Sequence, residues 1–302
     1  MNILFDSFEE WRSFCHKSET PLYQPTLEYE IKQKGASEQE VWEGLKKAYQ
    51  VMKDAVKTGL SADMNSYSGM INGGAKKVAN VPIAVLSPEF QKLVSRALAA
   101  KEVNSCMGRV VAAPTAGASG ILPGVLVTLQ ELHDLPDQKI HECLLIGAGV
   151  ALIIEKRASI AGAVGGCQAE TGTAAAMASA AIVYALGGNT DQVFNAVAIT
   201  IQSMLGLICD PVAGLVEVPC VVRNASAAAI ANSSAQIAIA DVSPVIPVDE
   251  CVDAMGEIGQ TMDVKYKETA LGGLAATPTG QAISKRVLIQ DIEIMDDEEE
   301  NS

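Results

Sequence analysis

The middle of the chain is almost free of charge. Residues 158–222 contain no lysine and no arginine, and their only acidic residues are Glu170, Asp191, Asp210 and Glu217. A helix at the protein surface normally carries a charged face, so a segment without one is expected to be buried on most sides. We therefore expect these residues to form the centre of one large domain. Burying an ionised group is costly unless it is paired or bound, which makes the four acids conspicuous.

The flanking segments predict helices with clear ends. Ser37 and Glu40 form a capping box ahead of apolar residues at helical spacing, and we expect Gly59 to close that helix as a C-cap. Ser87, followed by a proline, predicts the start of a second helix over residues 88–102. Alternation of apolar and polar residues, the pattern of a β-strand, is nearly absent.

Composition favours closely packed helices. The chain is 49% hydrophobic but only 4% aromatic, so small aliphatic side chains must fill the core. The sequence therefore predicts an all-α fold: a single large helical domain with buried Ala- and Gly-rich core helices and Gly-rich interhelical loops. We divide the chain into an N-terminal helical extension (1–36), the helical domain (37–288) and a disordered acidic tail (289–302), because residues 291–302 carry seven acids and no base.

Charge and hydropathy argue against several classes of protein. The net charge of −14 disfavours a nucleic acid or an anionic membrane as the partner. The apolar run of residues 144–154 is too short to span a bilayer, which needs about 20 residues, so we expect no membrane segment. The seven cysteines are an odd number, and the N-terminus lacks the basic and apolar parts of a secretion signal. We therefore expect a cytoplasmic protein whose cysteines are reduced thiols or metal ligands.

Three cysteines differ from the rest in their setting. Cys167, Cys209 and Cys220 lie in or beside the charge-poor segment, each close to a glycine or a proline that interrupts a helical pattern. Their spacing matches neither the paired cysteines of zinc sites nor the runs of ferredoxins. On spacing alone, small buried core residues are the first interpretation and a metal or cluster site is the second. The remaining cysteines are interpreted as structural: Cys15, Cys106, Cys143 and Cys251.

Two polar loops are candidates for binding a small ligand. Residues 114–120 combine Gly, Ser and Thr ahead of an apolar helical stretch, and the free N–H groups at a helix N-terminus attract a carboxylate or phosphate. A tight packing turn explains the same residues equally well. Residues 65–70 offer hydroxyl groups close to Lys76 and Lys77, although an exposed loop with solvated lysines is the simpler interpretation.

The histidines give no sign of catalysis. His16, His133 and His141 each stand among charged residues, so we expect all three to be solvated. Neither a Ser, His and Asp order nor an HExxH motif is present, which argues against a hydrolase or a zincin.

Four segments carry a resemblance to a known family. GGCQAETG, LGLICDPVAGLVEVPCVVRNA, APTAGASGILPG and LGGLAATPTG resemble the α chain of the bacterial iron–sulfur-dependent L-serine dehydratases of the two-chain type. The likeness extends over approximately residues 38–285. It implies that Cys167, Cys209 and Cys220 hold a [4Fe–4S] cluster, and that one iron without a thiolate binds the substrate.

The resemblance also implies the reaction and the partner. Family members of this type convert L-serine to pyruvate and ammonia without pyridoxal phosphate. Their single-chain relatives carry a second domain with a Ser-His-Thr motif. This chain lacks that motif, so a separate β chain is expected to supply it and to complete the active site.

Roles for individual residues follow from the resemblance and from the chemistry of a zwitterionic substrate. We call residues 114–120 the helix-entry loop and assign to it the binding of the substrate carboxylate, through Thr115, Ala116, Gly117 and Ser119. Ser66 and Ser68 of the second polar loop are expected nearby. The general base is not identified, and Glu170 and Arg223 are candidate orienting charges for which a buried salt bridge is an equal explanation. An iron–sulfur L-cysteine desulfidase and a non-catalytic amino-acid-binding protein are the alternative functions.

Overall fold

The computed structural model describes residues 5–300, with side chains described for residues 5–290 except Lys34. This part of the chain contains thirteen α-helices and no β-strand, which confirms the predicted all-α fold. The helices are α1 Phe8–Ser18, α2 Gln24–Lys34, α3 Glu38–Ser61, α4 Gly74–Asn80, α5 Pro88–Ser105, α6 Ile121–His133, α7 Asp137–Arg157, α8 Gly162–Gly165, α9 Thr173–Ala185, α10 Thr190–Met204, α11 Cys220–Ile239, α12 Val248–Thr261 and α13 Pro278–Glu300.

Helix α9 is the centre of the molecule. All of its residues except Tyr184 are buried, and α6, α7, α10 and α11 pack around it. Its alanines allow these neighbours to approach closely, as the composition predicts. The burial predicted for residues 158–222 is confirmed for Glu170, Asp210 and Glu217. It is wrong for Asp191, which is exposed because it lies in the first turn of α10 and pairs with Arg12 there.

The predicted start of α3 is confirmed, but its predicted end is wrong. The Ser37 hydroxyl accepts a hydrogen bond from the Glu40 amide, and the Glu40 carboxylate accepts one from the Ser37 amide. The helix continues beyond Gly59 to Ser61. Gly59 serves close packing instead of a C-cap, because a Cβ at this position would lie 2.6 Å from the Cα of Ala99 on α5.

The two ends of the chain are built into the helical body differently. Phe8 and Trp11 of α1 are fully buried and pack against Phe194 of α10, so the N-terminal helices share the main core. At the other end, α13 is helical as far as Glu300, whereas we expected a disordered tail from residue 289. The acidic run contains good helix formers and neither glycine nor proline, so nothing in it ends the helix. Side chains from residue 291 onward, and residues 301–302, lie outside the described part.

Candidate active site

Cys167, Cys209 and Cys220 come together from three separate elements. Cys167 follows Gly166, whose φ of 76° ends α8, and it precedes a π-helical turn. Cys209 lies in the loop after α10, where its amide donates to the Tyr266 carbonyl at 2.8 Å. Cys220 is the first residue of α11. All three side chains are buried, so each break in the helical pattern brings a thiol into the interior.

The thiols of Cys167 and Cys209 interact with each other. This interaction lowers the pKa of Cys167 and raises that of Cys209. The Thr171 hydroxyl also lies 2.8 Å from the Cys167 sulfur. Burial raises the pKa of Cys220 to about 12. Cys167 is therefore more readily converted to the thiolate that binds metals than an ordinary cysteine is.

The donor set consists of thiols alone. Among the described side chains, no three His, Cys, Asp or Glu groups are close enough together to hold one metal ion. In an iron–sulfur cluster each thiolate binds a different iron. Three buried thiols without a histidine are the type of donor that such a cluster uses.

The first turn of α11 organises the surroundings of these thiols. The Asn224 amide group donates to the carbonyls of Gly117 and Cys220, both at 2.8 Å, and accepts from the Gly120 amide at 2.8 Å. Arg223, in the same turn, contacts the carboxylate of Asp210. The loop ahead of α6 is thereby fixed to the helix that begins with a candidate ligand.

Glu170 lies beside this loop. Its carboxylate accepts a hydrogen bond from the Thr115 hydroxyl, and a side chain at Gly117 would overlap it. Burial raises the pKa of Glu170, and the nearby carboxylate of Glu268 raises it further. Glu170 therefore favours its protonated form more than an exposed glutamate does.

Gly162 marks the place where the carboxylates and a thiol meet. A Cβ at this position would lie 3.2 Å from the Cys209 sulfur, 3.3 Å from Glu268 Oε2 and 3.4 Å from Glu170 Oε2. Glu268 reaches this place because its amide donates to the Cys209 carbonyl at 2.9 Å and its φ is 62°. The absence of a side chain at Gly162 leaves space between two carboxylates and a candidate iron ligand.

The helix-entry loop offers backbone donors. Its Ser119 amide donates to the Ala116 carbonyl. The amides of Ala116 and Gly117 have no protein acceptor among the described residues. The Ser119 hydroxyl is fully buried and also lacks a partner within this part of the chain. The loop thus keeps unused donors close to Glu170.

Ser66 and Ser68 are directed at a protein group. Both hydroxyls donate to the same oxygen of Glu217, at 2.6 and 2.5 Å. Their oxygens accept from the amides of Ile71 and Met70, respectively. The structure therefore places both serines around a buried carboxylate shortly before Cys220, with their hydrogen-bonding capacity used inside the protein.

The expectation for the histidines needs one correction. His16 and His133 are exposed, but His141 is buried on α7, with Tyr49 against it edge to face. The charged residues beside His141 in the sequence predicted an exposed side chain. The packing of α3 on α7 buries it instead. All seven cysteines are free thiols.

Comparison with known proteins identifies the family. The chain matches the serine dehydratase alpha chain family over residues 17–275. The chain belongs to this family. It is 43% identical over 278 residues to the L-serine dehydratase alpha chain of Peptoniphilus asaccharolyticus, covering 91% of this chain and 95% of that protein. It is 42% identical to the probable L-serine dehydratase alpha chain of Bacillus subtilis, covering 86% and 87%. The resemblance of the four motifs to an L-serine dehydratase α chain is thereby confirmed.

A longer relative shows that this chain can correspond to one part of a larger protein. The L-serine dehydratase of Streptomyces coelicolor is 38% identical over 268 residues, covering 85% of this chain but only 58% of that protein. The alpha chain therefore matches part of a larger relative. In the described part of the present chain, no helix is both long enough and apolar enough to cross a membrane.

Sequence reasoning missed several residues of the site. Lys101 could have been found, because it stands four residues after Ala97 and eight after Leu93 on the buried face of α5. Asn224 and Glu268 had no such signal. Their roles depend on partners that are distant in the sequence.

Proposed function

We propose that this chain is the α chain of a two-chain L-serine dehydratase, a lyase that converts L-serine to pyruvate and ammonia. The observation that carries the proposal is the family match over residues 17–275, together with 43% identity to a named L-serine dehydratase alpha chain across 91% of this chain. The buried thiols and the polar loop supply chemistry appropriate to the reaction.

Cys167, Cys209 and Cys220 would hold a [4Fe–4S] cluster. Support comes from their burial, from the interaction with Cys209 that lowers the pKa of Cys167, and from a donor set made of thiols alone. Such a cluster supplies a Lewis acid that makes the substrate hydroxyl a better leaving group. We propose that this cofactor replaces pyridoxal phosphate.

The helix-entry loop binds the substrate carboxylate. The unused amides of Ala116 and Gly117 and the positive end of the α6 dipole favour an anion at this position. Thr115 contributes by fixing Glu170, and Ser119 by its unpaired hydroxyl. Ser66 and Ser68 do not contact the substrate in this proposal, because their hydroxyls donate to Glu217 and fix its position.

Of the two candidate orienting charges, Glu170 suits proton transfer and Arg223 does not. A guanidinium stays protonated in proteins, and that of Arg223 is occupied by Asp210 and the Ile208 carbonyl. Glu170 has a raised pKa and lies beside the helix-entry loop, so it can hold a proton or release one. Its proximity to Glu268 also suits the ammonium group of an amino acid.

A separate β chain covers the site. Two apolar side chains close to the thiols in sequence, Val164 and Val222, are more than half exposed. Leu271 and Leu274 are also about half exposed or more, and the Leu274 amide contacts Asp210 beside Cys209. Exposed apolar groups beside a reactive site are typical of a surface that another domain covers. The longer Streptomyces relative has additional sequence that could correspond to such a partner. Seven free thiols agree with a cytoplasmic enzyme.

The test is to express this chain with and without its β chain, reconstitute both anaerobically with iron and sulfide, and assay pyruvate from L-serine. We expect turnover only with both chains present, unaffected by a carbonyl reagent that traps pyridoxal phosphate. Sulfide release from L-cysteine in place of pyruvate release from L-serine would instead identify a desulfidase. A protein that binds serine but takes up no iron would be a non-catalytic binding protein.

A further inference from the structure

Lys101 is a buried cation beside the segment that leads to Cys220. It lies on α5 and is 0% exposed, and it is the only buried lysine or arginine among the described side chains. Burying an ammonium group costs several kcal/mol, so its contacts must compensate. Burial lowers the pKa of Lys101 to about 8, against the opposing effect of the acidic groups around it.

The ammonium group contacts three neutral acceptors. Nζ lies 2.5 Å from Asn104 Oδ1, 2.7 Å from the Val216 carbonyl oxygen and 3.4 Å from Ser105 Oγ. An ammonium has three N–H bonds, so none is left for a substrate. Lys101 is also inaccessible to one. It therefore acts on the site through other residues.

The contact with Val216 has a consequence for Cys220. Val216 lies in the segment that joins Cys209 to Cys220, and the Ser105 hydroxyl donates to the same carbonyl at 3.3 Å. The next residue, Glu217, is held by Ser66 and Ser68. Two consecutive residues ahead of Cys220 are thus anchored to different helices or loops.

The positive charge of Lys101 is affected by acidic groups of the candidate site. Cys220, Glu170, Glu217 and Cys106 each raise the pKa of Lys101 against the larger lowering by burial. None of them forms an ion pair with Lys101 within the described residues. A positive charge without a paired carboxylate is available to balance a thiolate.

We propose that Lys101 is a positioning residue for Cys220: it anchors the Val216 carbonyl ahead of this thiol, and its buried charge stabilises the thiolate when iron is bound. The inference rests on the proposed function only in that Cys220 is a cluster ligand.

The test compares the wild-type chain with Lys101→Met, Lys101→Arg and a control, Lys92→Met. Lys92 stands on the same helix but is half exposed. Each chain is reconstituted anaerobically, iron is counted per chain, and the midpoint potential of the cluster is measured by a redox titration followed by electron paramagnetic resonance. We expect Lys101→Met to lose most of its iron and the remaining cluster to have a more negative potential, because a nearby positive charge stabilises the reduced state. Lys101→Arg should keep a potential close to wild type.

The outcomes separate this inference from the proposed function. If wild type takes up no iron, the cluster assignment itself is wrong. If wild type and Lys101→Met take up equal iron with equal potentials, the role of Lys101 is refuted. Should Lys101→Met fail to fold, wild-type protein labelled with ¹³C at lysine Cε replaces it. Its Lys101 pKa should then rise when the cluster is loaded, and an unchanged pKa overturns the inference.

Discussion

Arg223 forms an ion pair with Asp210, with 2.8 Å between Nη1 and Oδ1, and the same nitrogen donates to the Ile208 carbonyl at 2.9 Å. Ile208 and Asp210 are the two neighbours of Cys209, and Arg223 follows Cys220 by one helical turn. One side chain therefore connects the surroundings of two candidate ligands. The other oxygen of Asp210 accepts from the Leu274 amide at 2.7 Å, which adds a third segment to this connection.

We expect Arg223→Met to destabilise the chain by about 3 kcal/mol, because it leaves Asp210 buried without its cation. This is the lower end of the range for breaking a buried pair, since the Arg223 side chain is 18% exposed. Urea unfolding of the chain without iron measures the change. The double variant with Asp210→Asn should regain part of the loss, and equal stability of the single variant and wild type would contradict the role of the ion pair.

We expect Asn224→Ala to destabilise the chain by about 2 to 4 kcal/mol, because it leaves the Gly120 amide and the Gly117 carbonyl buried without their partner. In the enzyme with its β chain, the KM for serine should rise as the substrate loop loosens. Ser233→Ala is the matched control, since this hydroxyl lies on the same helix but is exposed. A KM equal to wild type would separate Asn224 from the loop.

Two glycines of α3 should respond with opposite signs. Gly44→Ala should stabilise the chain by up to about 1 kcal/mol, because alanine favours a helix and no atom lies within 4 Å of the new Cβ. Gly59→Ala should destabilise it by about 1 to 3 kcal/mol, because its Cβ meets the backbone of Ala99. Thermal unfolding of both variants checks the contrast. Stabilisation by both substitutions would mean that α3 and α5 are not in close contact.

Serine substitutions should divide the cysteines into two groups. Cys167→Ser, Cys209→Ser and Cys220→Ser should each abolish cluster assembly, because a serine oxygen is a poor replacement for a thiolate ligand. Cys15→Ser and Cys143→Ser should keep the cluster, although a hydroxyl in the core lowers stability. Iron and sulfide per chain measure the difference. Full iron in Cys209→Ser would remove that residue from the ligand set.

Acid should destabilise the chain through His141. Burial lowers the pKa of His141 from its ordinary value of 6.5. The unfolded chain therefore binds a proton near pH 6.5 that the folded chain binds only at lower pH, so stability decreases as the pH falls through this range. His141→Gln should make that part of the profile flatter, as measured by urea unfolding between about pH 5 and pH 7.5. His16→Gln, at an exposed position, is the control, and a His141→Gln profile parallel to wild type would exclude the effect.

The starts of α3 and α5 and the burial of most of the central segment could be predicted from the sequence, because the patterns that indicate them are local. The Ser37 capping box, the start of α5 after Ser87 and the burial of the charge-poor residues 158–222 depend on neighbours within one or two helical turns. The setting of the three cysteines beside glycine or proline is local in the same way, and the motifs around them indicated the family.

The connections within the site were decided only by the tertiary structure. Ser66 donates to a carboxylate 151 positions away, and Asn224 holds a loop that lies 107 positions earlier at Gly117. No periodicity or cap specifies such pairs, because each partner is chosen by how whole helices pack. The sequence by itself determined an all-α chain with three thiols at helix breaks. The packing of the helices decided that Ser66 and Ser68 donate hydrogen bonds to Glu217. It also decided that Lys101 is buried and that Glu268 lies close to Glu170.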